Sequence, residues 1–121
     1  MTPAEPRPAP GEEKFWDLAE RFLCRADVTR STMMGFPCLR VRGQFFASVD
    51  RADGNLLVKL PEARVDQLVD AGRAEPFAPA GRRFREWAAI PHARSRTWTR
   101  LLDEALDFVD GLPPLSRTRS R

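Results

Sequence analysis

Between Leu39 and Leu60 the chain carries three short apolar stretches separated by turn residues, a spacing that commits it to a sheet. Leu39 and Val41 alternate with Arg40 and Arg42, so apolar side chains take one face of a strand and cations the other. Gly43-Gln44 is a tight connection into a returning strand, on which Phe45, Ala47 and Val49 are expected to face inward. Phe46 and Ser48 then fall on the opposite face. Asp53-Gly54 is a turn signal leading into Leu56, Val58 and Leu60 as a third strand. Strands joined by such short turns run antiparallel.

Helical periodicity brackets this sheet. Phe15, Leu18, Ala19, Phe22 and Leu23 recur at the spacing of one helix face, with Trp16 beside them and Glu12 and Glu13 at the positive end of the dipole. Pro61 opens a second helix with Val65, Leu68, Val69 and Ala71 as its apolar stripe and Gly72 as its stop. Trp98, Leu101, Leu102, Ala105, Phe108 and Val109 predict a third, capped by Ser95 or Thr97 and ended at Gly111. Asp27 to Gly35 reads as a loop. Ala74 to Pro79 reads as a short edge strand, because Pro76 and Pro79 cannot donate to a ladder. Arg83 to Ile90 makes a fifth strand, ended by Pro91. The expected fold is α+β, in the order α-β-β-β-α-β-β-α. It is a two-layer α/β sandwich: a five-stranded antiparallel sheet with the helices on one face.

A chain of 121 residues has room for one domain with one modest core. Residues 1–11 hold Pro3, Pro6, Pro8, Pro10 and Gly11 and are expected to be disordered. Residues 12–112 form the expected domain, and 113–121 a flexible basic tail. No apolar run reaches the length of a membrane span, and the proline-rich start lacks the pattern of a secretory signal, so the expected location is the cytoplasm. The net charge of +3 comes from Arg117, Arg119 and Arg121, which follow the last acid, Asp110. The body of the chain is neutral.

Site chemistry is sparse. His92 is the single histidine, and Cys24 and Cys38 lie on different elements without metal-type spacing, so neither a metal nor a cofactor is expected. No nucleophile elbow and no phosphate-cradling glycine loop occurs, and no catalytic residue is assigned. The basic residues are uneven along the chain. Arg82, Arg83, Arg85, Arg94, Arg96 and Arg100 stand against Glu86 alone, and Arg21, Arg25, Arg30, Arg40 and Arg42 against Asp27 alone. Guanidinium forks grip phosphate oxygens in two places. Arg40, Arg42, Arg82, Arg83, Arg85, Arg94 and Arg96 are therefore the candidate contacts to double-stranded DNA.

Met34-Gly35, the hairpin from Gly43 to Phe46-Ala47, the LLVKL strand, the segment from Ala71-Gly72 to Pro76-Phe77 and the strand from Trp87 to Pro91 together resemble the MmcQ/YjbR family. The related N-terminal domain of TfoX-type competence regulators is similar. The resemblance runs from about Phe15 to Val109, and its element order is also that of the secretion-chaperone-like fold. It implies a DNA-binding or regulatory protein without a catalytic motif. The expected function is thus a non-enzymatic binding module for DNA. The alternative is a protein-interaction module, chaperone-like or homodimerising, suggested by Phe46 and Leu57 pointing opposite to Phe45 and Leu56.

Overall fold

In the computed structural model, residues 10–33 and 35–112 are described. The elements are α1 (Pro10–Leu23), β1 (Val28–Met33), β2 (Phe36–Val41), β3 (Gln44–Val49), β4 (Leu56–Lys59), α2 (Glu62–Asp70), β5 (Glu75–Phe77), β6 (Phe84–Ile90) and α3 (Trp98–Asp110). A short 3₁₀ helix, His92–Thr97, leads into α3. The strands form one open antiparallel sheet in the order β1-β2-β3-β4-β6-β5. All three helices contribute to a single core with the sheet. The α+β two-layer arrangement is as expected.

The sheet has six strands rather than five. Val28–Met33, expected as a loop, pairs along its whole length with β2. Its residues VTRSTM include three β-branched side chains that suit an extended backbone, but among its described side chains Val28 alone enters the core. An edge strand with one apolar anchor leaves no alternation to read, and the ladder to β2 supplies what the side chains do not. The start of the domain also shifts. The α1 helix begins at Pro10, so Pro10 and Gly11 are helical rather than disordered. Residues 1–9, Met34 and the basic tail at 113–121 lie outside the described residues.

A second departure concerns β3. Leu39 pairs with Ala47 but Arg40 pairs with Phe45, so Phe46 is an extra residue opposite β2. Such a bulge breaks the strict alternation. Phe46 turns toward the helices, fully buried, with its ring 6.3 Å from that of Phe22 on α1. Phe45, expected inside, lies half-buried beneath the Arg40 guanidinium instead.

The helix ends are set by local chemistry. Gly72, at a φ of 72°, follows α2 and lets Arg73 donate to the Leu68 carbonyl and Gly72 to that of Val69. This pair of bonds is a Schellman ending, and it fixes where Arg73 leaves the helix. Thr97 is the N-cap residue of α3, but its hydroxyl donates to the Arg94 carbonyl and makes no cap bond.

The first turn of α1 is seated on the β3–β4 turn. Gly11 packs directly against the backbone of Gly54, leaving no space for a Cβ. Beside it, the nearly buried Glu12 accepts from the Arg51 guanidinium at 3.1 and 3.3 Å and from the Trp16 indole at 3.4 Å. Gly11→Ala should therefore lift α1 off this turn and cost about 1–3 kcal/mol, the usual penalty for overpacking. Denaturant unfolding measures it, and an unchanged midpoint would show that the close approach does not constrain the fold.

Candidate functional site

The sheet face opposite the helices has its own apolar cluster. Leu57, Phe77 and Ala89 are buried there, with half-buried Phe36, Phe84 and Trp87 packed against them and no helix residue among them. One register row crosses all six strands on this face: Ser31, Cys38, Ser48, Leu57, Ala89 and Glu75. Three of its four middle members, Cys38, Ser48 and Ala89, are small, and these and Leu57 are all buried. Larger rings lean over this floor. Phe77 and Phe84 stack with centroids 5.7 Å apart. The Ser48 hydroxyl donates to the Pro37 carbonyl at 2.8 Å, which meets the hydrogen-bonding need of the one buried hydroxyl in the row.

Two candidate arginines belong to this face. The Arg40 guanidinium lies 4.5 Å above the Phe45 ring, and that of Arg82 lies 5.6 Å above Phe84. Both geometries are cation–π contacts. The Arg40 Nε is buried without a hydrogen-bond partner among the described residues. Cys38 is also here. Burial pushes its thiol up from the ordinary value while Arg40 pulls the other way, so at neutral pH it stays a protonated, weakly nucleophilic group.

The other candidate arginines are drawn elsewhere. Arg83 and Arg85 turn to the helix side and pair with Asp66 and Glu62 of α2 at 3.2 and 3.4 Å. Arg42 sits 3.8 Å from Asp110, a carboxylate shared with Arg25, which also holds Asp27. The Arg25 hydrogen bond keeps the Asp27 carboxyl below its usual range. Arg94 and Arg96 lie on the 3₁₀ helix and carry no ion pair among the described residues. That helix follows Ile90, which pairs with Leu56, whereas the Arg42 turn lies at the end of the sheet where Leu60 meets Glu86. The seven residues thus divide among the helix-free face, the α2 side and both ends of the sheet. Arg83 with Asp66, Arg85 with Glu62 and Arg42 with Asp110 join residues far apart along the chain, so the linear order of residues does not reveal them.

A third basic group forms in space from residues outside the seven candidates. Arg64, Arg73, Thr97 and Arg100 surround a cleft of about 20 Å³ between α2 and α3, floored by Leu68 and Leu101. Among the described residues, no group of three or more His, Cys, Asp and Glu side chains could hold a metal ion, and no helix is long and apolar enough to cross a membrane. His92 is exposed, its ring edge-on to Trp98 at 5.8 Å. Compared with protein-family models, curated proteins and solved structures, the chain matches none.

Arg42 and Gly43 both have positive φ, 53° and 82°, the requirement of a two-residue hairpin turn of type I′. Glycine adopts this freely, but an arginine is strained there. Arg42→Asn should stabilise the fold by about 0.5 kcal/mol, since asparagine tolerates this region and the half-exposed pair to Asp110 contributes little. A thermal melt checks the sign; a lower midpoint would mean that the Asp110 contact outweighs the backbone strain.

Proposed function

We propose that this chain is a non-enzymatic interaction module whose working surface is the helix-free face of the sheet, and that its partner is a second copy of the chain. The observation that supports this most is the second apolar cluster, with Phe36, Phe84 and Trp87 half-buried over Leu57, Phe77 and Ala89. An antiparallel sheet solvated on one side ordinarily presents polar residues there. Apolar patches with aromatic and arginine side chains mark interface cores. Arg40 and Arg82 add this combination on the same face. A self-complementary pairing would lay the aromatic rims of two copies against each other around a two-fold axis.

Sedimentation velocity across a wide concentration range tests the reading. The wild-type chain should shift from monomer to dimer as concentration rises. Trp87→Gln with Phe84→Gln should remain monomeric with unchanged circular dichroism. A wild-type chain that stays monomeric throughout would overturn self-association.

Duplex DNA is a second reading, favoured by the absence of ion pairs at Arg94 and Arg96 among the described residues. Phosphate contacts release counterions, so binding of this kind weakens steeply as salt rises. In fluorescence anisotropy with labelled duplex, Arg94→Gln with Arg96→Gln should reduce both affinity and salt slope. Affinity indifferent to salt would remove this reading.

A further inference from the structure

The cleft between α2 and α3 has more positive charge than its own carboxylates answer. Arg64 is held by Glu104 through two bonds of 2.9 and 3.0 Å and by Gln67 at 2.9 Å, so this cation and this acid are already matched. Arg73 and Arg100 line the same cleft and make no ion pair among the described residues. Their positions are fixed from the backbone outward. Arg73 is the residue whose N–H closes the Schellman ending of α2. Arg100 stands in the first turn of α3, where the helix dipole is positive. The N-cap Thr97 spends its hydroxyl hydrogen on Arg94, leaving oxygen lone pairs at the cleft but no cap for the helix.

We propose that this cleft binds a phosphomonoester, gripped by the guanidinium groups of Arg73 and Arg100. Guanidinium is the side chain best matched to phosphate oxygens. The charge favours a terminal phosphate over a link in a nucleic-acid chain. A monoester carries about −1.5 to −2 at neutral pH, which two free guanidiniums balance, whereas a backbone diester carries one negative charge. Leu68 and Leu101 line the inner side of the cleft, so the cations stand at its rim. Neither the sheet-face reading nor the DNA reading is needed for this site.

The test is an amide NMR titration of the full chain with inorganic phosphate, phosphoserine, serine and duplex DNA. Phosphate and phosphoserine should produce saturable shifts at Arg73 and across Thr97 to Leu101, and serine none. Arg73→Gln with Arg100→Gln should weaken phosphoserine binding by about tenfold or more, the scale of one charge-assisted hydrogen bond. Both side chains are exposed, so the fold should survive. Arg94→Gln with Arg96→Gln should leave phosphoserine binding unchanged. Shifts that are absent, that persist in the Arg73 and Arg100 variant, or that duplex DNA alone produces would each overturn the proposal.

Discussion

One extra residue in β3 decides what each face of this sheet is made of. With strict alternation Phe45 would enter the helix-side core and Phe46 would face away. The bulge reverses the two. Phe46 then meets Phe22 and locks α1 to the sheet, while Phe45 becomes the platform on which Arg40 lies. Both consequences depend on the same local backbone choice, because side chains beyond a bulge change sides together. The helix-side core and the aromatic surface opposite are therefore not independent features.

Much of the architecture is legible in the sequence. The stripes of α1, α2 and α3 repeat at helical spacing, and Gly43 and Asp53-Gly54 announce the turns between strands. What stays hidden is hidden for particular reasons. Among the described side chains of β1 one reaches the core, so no periodicity betrays the strand. The bulge at Phe46 is a register event between two strands, invisible in either alone. The arginines look like two dense runs along the chain, but folding sets Arg83 and Arg85 against carboxylates of α2. The cleft of Arg64, Arg73 and Arg100 escapes notice for the converse reason, since its members come from three separate positions in the sequence.

Charge pairing also explains why linear charge density is a poor guide to this surface. Arg25, Asp27, Asp110 and Arg42 form a connected set that ties the end of α1 and the β2–β3 turn to the end of α3. Exposed pairs of this kind add little stability singly. Their effect is to cancel the local field, so that cations without carboxylate partners stand out against a neutral background.

The sheet order has a consequence for how the molecule assembles. Strands β1 to β4 are neighbours in space in the order they occur in the chain, and each joins the next through a short turn. That half can zip together by local steps. β6 must instead come back past α2 and β5 to lie against β4, closing the longest loop within the sheet. Loop closure costs entropy before its contacts repay it. Among the strand pairings, that of β6 with β4 therefore carries the largest loop-closure cost, and the segment that holds α2 sets its size.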